Sequence, residues 1–236
     1  MGEDLESLFY KVVDYLDGRD SNNVEKVLVE EKPVAAKEPV TKADVFGRNA
    51  IPLGISNRHI HLSQVDIDCL FGPGYRFNQL KELSQKGQFA YKECVTIAGP
   101  KGVIERVRIL GPSRSNTQVE ILRSDCFKLG IDAPLRLSGD IEHTPGCTVI
   151  GPVGSIQLNK GCIVAKRHIH MSPSDAKHFG VEDKQVVSLE IPGERGGIIH
   201  NVIVRVNDNF SLECHLDTEE ANALGLTGLN KLRIIK

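Results

Sequence analysis

The first regular hydrophobic pattern of the chain lies near its N-terminus. Apolar residues recur there at spacings of three and four, and acidic or polar residues fill most of the gaps: Leu5, Leu8, Phe9, Val12, Val13 and Leu16. This spacing predicts an amphipathic helix over residues 1–17, ended by Gly18. Residues 18–49 are polar, contain Pro33 and Pro39, and are predicted to form a flexible linker. Since so short a helix is marginal alone, we expect its apolar face to dock on a partner; packing on its own domain is the alternative.

The pattern changes after residue 50. Residues 50–236 contain short β-branched runs separated by Gly and Pro turns, and their helical segments are few and short. This predicts a mainly β fold of small barrels capped by short helices, rather than a doubly wound sheet. Aromatic residues make up 5% of the chain and Trp is absent, so we expect a mainly aliphatic core.

Two of these runs carry alternating histidines. Residues 57–63 read NRHIHLS and residues 166–172 read KRHIHMS, so four of the eight histidines lie in two His-x-His pairs. In a strand, side chains two residues apart point to the same face, so each pair presents two imidazoles together. Neutral imidazole is a common metal ligand. The alternative is a pair of half-buried strands in which His and Ile alternate without function.

The two stretches belong to a longer repeat. Each unit reads as a strand end, a polar residue able to bind metal, a capped helix and a Gly. Two further units match, and they begin at Glu120 and His215. A Ser or Asp followed three residues later by an acid predicts a helix N-terminus, and the Gly predicts its end. The unit at Glu120 departs from the pattern because Leu122 replaces the cap, and the first unit ends one residue late, at Gly72.

The four units group into two halves of an internal duplication. A predicted hairpin precedes the last unit in each half, at residues 95–110 and 186–206. Each half then supplies three candidate metal ligands: His59, His61 and Glu120 in the first, and His168, His170 and His215 in the second. Both sets match catalytic zinc sites that keep a fourth position open, whereas structural zinc is usually closed by four protein ligands.

The composition argues against a nucleic-acid-binding, secreted or membrane protein. The net charge of −2 argues against nucleic-acid binding, although local basic clusters suit a small phosphorylated ligand. The six cysteines form no C-x-x-C, no stretch resembles a signal peptide, and no apolar run reaches the ~20 residues of a membrane span. We therefore expect a soluble intracellular protein without a membrane partner.

One loop carries a candidate anion-binding residue. Arg114 lies in the stretch Gly111-Pro112-Ser113-Arg114-Ser115-Asn116-Thr117, six residues before Glu120. A guanidinium beside two cations suits an oxyanion such as phosphate. Arg108 and Lys101 lie on and just before the second strand of the preceding hairpin. They suit either a longer phosphorylated ligand or an ordinary charged surface.

At this point three motifs carry a resemblance to a known family. The two RHIH motifs, GPSRSNTQVE at 111–120 and CHLDTEEAN at 214–222 resemble the PduL-type phosphate acyltransferases, or phosphate propanoyltransferases, over about residues 48–236. The resemblance implies interconversion of acyl-CoA (propanoyl-CoA is expected) and phosphate with acyl phosphate and CoA. It implies two zinc ions per chain, held by the two triads named above, and phosphate binding by Arg114. It also implies CoA contacts at Ile55, Ser56, Asn57, Lys101, Arg108 and Asn222.

The resemblance also implies an architecture and a location. It implies two β-barrels with the metals between them: one from 50–57 together with 166–236, and one from 58–165. Members that work inside bacterial microcompartments carry an N-terminal encapsulation peptide, and residues 4–17 are similar to it in length and pattern. We therefore expect shell or cargo proteins as partners, a microcompartment lumen as location, and a homo-oligomer.

Two other classes of function fit the same ligands. A dinuclear metallohydrolase acting on acyl phosphates or thioesters would use identical triads and would differ only at the CoA positions. A structural metal-binding scaffold would instead have closed coordination and no turnover.

Overall fold

The computed structural model of the protein describes residues 46–235. The predicted helix 1–17, residues 18–45 of the predicted linker, and Lys236 lie outside the described residues. A short 3₁₀ turn spans Gly47–Asn49. The strands of the described part are β1 (Ile51–Ser56), β2 (His59–Ser63), β3 (Gln79–Glu82), β4 (Phe89–Ala98), β5 (Val103–Arg114), β6 (Gln118–Glu120), β7 (Leu135–Arg136), β8 (Thr148–Ile150), β9 (Ser155–Gln157), β10 (Cys162–Ala165), β11 (His168–Met171), β12 (Val186–Ile191), β13 (Gly197–Val206), β14 (Glu213–Asp217) and β15 (Lys231–Ile235).

Four short α-helices accompany these strands: α1 (Gln64–Phe71), α2 (Arg123–Leu129), α3 (Pro173–Phe179) and α4 (Thr218–Ala223). Each follows a strand that carries a candidate ligand, with at most two residues between the strand and the helix. The predicted mainly β fold with short helices is confirmed.

One half of the molecule is a closed six-stranded barrel with the order β1-β14-β11-β13-β12-β15. Strand β1 pairs in parallel with β14 and antiparallel with β15, so it closes the barrel across a large separation in sequence. The repeat pattern contains no signal for this closure, which only the family resemblance implied.

The other half is a half-barrel of nine strands. Its path runs β7-β10-β6-β2-β5-β4-β8-β9, with β3 paired to β4. The path ends at the short strands β7 and β9, of two and three residues, and these two do not pair with each other. Short edge strands leave few free backbone groups for a further strand.

Each half buries its own apolar core. The half-barrel core includes Ile60, Leu70, Ile97 and Val119, and the barrel core includes Ile169 and other side chains of the C-terminal strands. Most of these residues are aliphatic, as the composition predicts. Alternation along β2 and β11 sends Ile60 and Ile169 into the two cores, which leaves the histidines on the opposite face.

Local capping explains where the helices begin and end. The Ser172 hydroxyl accepts a hydrogen bond from the Asp175 backbone N–H at 3.2 Å, while the Asp175 carboxylate accepts from the Ser172 backbone N–H at 3.0 Å. At α2, Leu122 offers no side-chain cap, but Asp125 still accepts from the Leu122 N–H at 3.0 Å. The helix-ending glycines Gly130 and Gly180 have φ of 69° and 61°, which is costly for other residues.

Candidate metal and anion site

The strand register brings the first triad together. His59 on β2 lies directly opposite Glu120 on β6, and His61 follows on the same face of β2. The Nε2 atom of His59 is 3.4 Å from Oε2 of Glu120. The Nδ1 atom of His59 is 2.7 Å from the carbonyl oxygen of Asn57, which can only accept, so Nδ1 carries a proton and the neutral form of the ring keeps its lone pair on Nε2. Atoms able to bind metal in the three residues lie within 4.8 Å of one another.

The barrel repeats this arrangement with a different third residue. His168 on β11 lies opposite His215 on β14, and their rings stack with centroids 4.9 Å apart. The Nδ1 atom of His168 donates to the Lys166 carbonyl at 2.8 Å, as His59 does to Asn57. The metal-binding atoms of His168, His170 and His215 also lie within 4.8 Å of one another.

Burial lowers the pKa of most histidines that have a resolved pKa shift in the two triads, which favours the neutral imidazole that binds cations. Burial, the largest cause, and the charges of neighbouring histidines together lower the pKa of His168 to about 4 and that of His170 to about 2. Burial, with the charge of His59, also lowers the pKa of His61 well below its usual value. Burial would likewise lower the pKa of His59, but the Glu120 carboxylate outweighs it and the net pKa is raised. Three of the imidazoles are therefore neutral near pH 7.

The residues present fit a pair of divalent cations. Burial would raise the pKa of Glu120, but the adjacent histidines hold it below the usual range, so the carboxylate is ionised. The Nδ1 atoms of His61 and His170 are buried without a hydrogen-bond partner among the described residues. A buried nitrogen without a partner is costly unless a cation or another group binds there. Sets of two histidines with a glutamate and of three histidines are typical of zinc sites with an open position.

Two arginines approach the triads. In Arg114 one terminal nitrogen lies 2.9 Å from Nε2 of His61, and the other donates to the Ser138 hydroxyl at 2.8 Å. In the barrel, a terminal nitrogen of Arg205 lies 3.5 Å from Nε2 of His170, and its guanidinium carbon lies 5.5 Å from the centre of the Phe210 ring. Burial is the main cause that lowers the pKa of both arginines.

A carboxylate that the sequence interpretation missed stands beside the second triad. Glu213 lies on β14 two residues before His215, and its Oε2 is 2.9 Å from Nε2 of His215, although the N–H direction does not meet hydrogen-bond geometry. The same carboxylate accepts a hydrogen bond from the Ser84 hydroxyl. The two-residue spacing before a candidate ligand is a signal that could have identified Glu213.

Both triads and both arginines line one cavity of about 790 Å³ between the two halves. The proposed CoA-contact residues Ile55, Ser56, Asn57 and Arg108 line it too. Arg108 donates to the carbonyl oxygens of Tyr91 and Lys92 at 2.9 and 2.6 Å. Lys101 and Asn222 are exposed and do not line the cavity. Its size suits part of a ligand as long as CoA, with the remainder outside.

The chain was compared with known proteins. The family model described as phosphate propanoyltransferase matches residues 52–227. The chain is 55% identical over 174 residues to a phosphate propanoyltransferase of Thermotoga maritima, which covers 73% of this chain and 83% of that protein. It is 51% identical over 186 residues to one of Rhodopseudomonas palustris, covering 79% and 82%. It is 50% identical over 183 residues to one of Salmonella typhimurium, covering 77% and 87%.

The chain belongs to the phosphate propanoyltransferase family. The predictions of this family and of an acyltransferase as the enzyme class are confirmed. Among residues 46–235, no helix has both the length and the apolar character needed to cross a membrane.

The interpretation of the sequence also missed Gln118, which contacts Glu120, and the cavity residues Ser138, Arg205 and Phe210. Gln118 shares the period-two pattern of the ligands, so a signal for it existed. Ser138, Arg205 and Phe210 carry no local signal, because loops and strand pairings far apart in sequence bring them to the cavity.

Proposed function

We propose that the protein transfers an acyl group between CoA and phosphate at two zinc ions. His59, His61 and Glu120 would hold one ion, and His168, His170 and His215 the other. The observation that carries this proposal is that two triads of metal-binding side chains and Arg114 face one cavity. The names of the relatives, phosphate propanoyltransferases, support phosphate and a propanoyl group as substrates.

The reaction exchanges one bond for another. In the direction of acyl phosphate formation, a phosphate oxygen forms a bond to the acyl carbon, the carbon–sulfur bond breaks, and the sulfur leaves with the electron pair. The proton that phosphate loses balances the one that the free thiol gains. Bound zinc would favour the thiolate over the thiol and offset the charge of phosphate.

Arg114 orients phosphate within this scheme. Its guanidinium is fixed by Ser138 and lies against His61, so it offers donors at a defined place beside the first triad. Guanidinium binds phosphate through paired hydrogen bonds, and such donors gain strength in a cavity shielded from water. Arg205 supplies a second positive charge from the barrel. Holding phosphate and thioester side by side removes much of the entropic barrier.

CoA would enter along the rim formed by β1 and the half-barrel. Ile55, Ser56 and Asn57 bring the end of β1 to the cavity, and Arg108 adds a positive charge there. Lys101 and Asn222 lie farther out, where they suit the distal phosphates and the nucleotide. Ser56 is held by its hydroxyl, which donates to the Leu216 carbonyl at 3.3 Å.

Transfer is proposed to be direct, within a complex of enzyme and both substrates. Cys126, Cys147, Cys162 and Cys214 are buried, and no cysteine of the described residues lines the cavity. Recovery of an acylated protein after quenching with acyl phosphate alone would contradict direct transfer.

Thiol consumption tests the proposed function. Purified protein mixed with propanoyl phosphate and CoA is expected to consume thiol rapidly, and His61→Ala and Arg114→Ala are expected to lose most of this activity. Acetyl, propanoyl and butanoyl phosphates compared in parallel give the acyl preference. Release of free acid without any dependence on CoA would instead indicate a metallohydrolase.

We also propose that residues 1–17 direct the protein into a microcompartment by docking on shell or cargo proteins. The amphipathic pattern and the polar residues that follow support this. Removal of residues 1–45 is expected to leave activity intact and to abolish packaging, as measured by the protein's share in purified compartments. A truncated chain that is still packaged would refute the targeting role. We further propose a homo-oligomer, which the molar mass in solution tests.

A further inference from the structure

Gln118 is a buried side chain with no role in the proposed reaction. It lies on β6 two residues before Glu120, opposite His61 in the strand register, and is 2% exposed. A glutamine amide has one oxygen that accepts and one nitrogen that donates twice. The Gly139 backbone N–H donates to Oε1 of Gln118 at 2.7 Å. This contact fixes the orientation of the amide, because a flipped group would place two donors against each other.

The nitrogen of the same amide faces the first triad. Nε2 of Gln118 donates to Oε1 of Glu120 at 2.7 Å and to the Ser138 hydroxyl at 2.8 Å. The first bond holds one carboxylate oxygen and leaves the other, Oε2, beside His59. The second bond reaches the hydroxyl that also accepts from Arg114 at 2.8 Å. One buried amide therefore links Glu120 to the phosphate-binding arginine.

The barrel has a residue at the same place in its register. Glu213 lies opposite His170, as Gln118 lies opposite His61, and each precedes the third member of its triad by two residues. Glu213 brings a carboxylate oxygen to within 2.9 Å of Nε2 of His215, an electrostatic contact that is not aligned as a hydrogen bond. The polarity is reversed between the halves: a donor faces the carboxylate Glu120, and an acceptor faces the imidazole His215.

We propose that Gln118 and Glu213 are positioning residues that orient the third metal ligand of their own half through this matched polarity. The inference rests on the proposed function, since it assumes that Glu120 and His215 bind a divalent cation. Hydrogen-bond partners of metal ligands fix the ring or carboxylate orientation, and their loss weakens metal binding about 10–100-fold.

Zinc affinity is the measurement that tests this role, because it does not depend on turnover. Protein stripped of metal is titrated with zinc in competition with a chromophoric chelator, and bound ions are counted by mass spectrometry. Gln118→Leu removes both donors and is expected to weaken one of two sites about 10–100-fold. Glu213→Leu is expected to weaken the other. Gln118→Leu is also expected to raise KM for phosphate more than it lowers kcat, because the bond that steadies Ser138 beside Arg114 is lost.

A pair of variants tests the matched polarity itself. In Glu120→His, the new imidazole N–H meets the donor Nε2 of Gln118 rather than an acceptor, because the bond from Gly139 fixes the amide with Nε2 toward position 120. Adding Gln118→Glu supplies a carboxylate and recreates the pairing of Glu213 with His215. The double variant is therefore expected to bind zinc about tenfold more tightly than Glu120→His alone.

Thr144→Val is the matched control. Thr144 is also a buried polar residue of the half-barrel, but its hydroxyl bonds only to the backbone of Ile141 and Gly161. It is expected to lower the melting temperature without changing zinc affinity. If Gln118→Leu does not fold, the comparison of Glu120→His with the double variant tests the positioning role instead. Both of those variants keep a polar residue at position 118.

The outcomes separate this inference from the function on which it rests. Fewer than two zinc ions bound to the unaltered protein would overturn both. Two ions bound with unchanged affinity in Gln118→Leu, or a double variant no tighter than Glu120→His, would overturn the positioning role alone.

Discussion

The barrel and the half-barrel have the same pattern of strand pairing at their triads, but it brings different chemical groups together in each. His59 faces Glu120 across β2 and β6, and His168 faces His215 across β11 and β14. The half-barrel triad contains an ionised carboxylate, whereas the barrel triad contains none. A cation in the half-barrel would therefore be partly neutralised, and one in the barrel would keep more of its charge. The two triads therefore share a geometry but differ in charge, so they would suit different partners.

Removal of one ligand from each half is expected to have the largest effect. His61→Ala and His170→Ala should each lower kcat/KM at least about 10³-fold, more than the loss of a single hydrogen-bond donor costs. Each variant should lose one bound metal ion and keep the other, as counted by elemental mass spectrometry. Loss of both ions from either variant would show that the halves do not bind metal independently.

Loss of the half-barrel arginine, Arg114, is expected to lower activity more than loss of the barrel arginine, Arg205. Arg114→Ala should lower kcat/KM for phosphate about 10²–10³-fold, because Arg114 is held by Ser138 and lies 2.9 Å from His61. Arg205→Ala should cost only about tenfold, since its contact with His170 is longer, at 3.5 Å. Initial rates over a range of phosphate concentrations measure both. Equal losses would mean that phosphate lies midway between the halves.

Acid is expected to destabilise metal-stripped protein through His61, His168 and His170, whose pKa values are lowered and of which two lie in the barrel. The pKa of His168 is lowered to about 4 and that of His170 to about 2, so the unfolded chain binds more protons than the folded one below about pH 6.5. Each should lower the free energy of unfolding by about 1–2 kcal/mol between pH 7 and pH 5. His59 acts oppositely, because its raised pKa adds stability at low pH that is lost as the pH rises.

Urea unfolding of metal-stripped protein at pH 5 and pH 7 measures how the free energy of unfolding depends on pH. His170→Asn should flatten the dependence on pH, and His59→Asn should steepen it. An unaltered dependence in His170→Asn would show that this imidazole is protonated in the folded protein.

Helix capping gives the smallest expected effect. Ser172→Ala removes the side-chain cap of α3 and should lower the free energy of unfolding by about 1 kcal/mol, with kcat unchanged. Helix α2 already lacks such a cap at Leu122. Ser155→Ala, at an exposed position of β9, is the control and should have no effect on the unfolding curve.

Local patterns in the sequence were enough to predict which candidate ligands lie together. The two His-x-His pairs share a face because strand side chains alternate, and the helices after them are specified by caps such as Ser172 with Asp175. The placement of Arg205 was not predictable in this way. It reaches the cavity because β13 pairs in parallel with β11, which sets Arg205 opposite His170 from 35 residues away.

Closure of the barrel was beyond local reasoning for the same reason. The apolar pattern of residues 51–56 predicts a strand but does not indicate its partners, and these lie more than 150 residues later. The open edge of the half-barrel was likewise not predictable, because nothing in the local sequence of β7 and β9 indicates that these end strands do not pair with each other.

The pairing of β1 with β14 and β15 has a consequence for synthesis of the protein on the ribosome. Strand β1 emerges early, but Leu53 has no partner until Cys214 has been translated. The half-barrel strands, all within residues 59–165, can pair before that point. The nascent chain must therefore carry an unpaired apolar strand while more than 150 further residues are translated, which exposes β1 to chaperones and to aggregation.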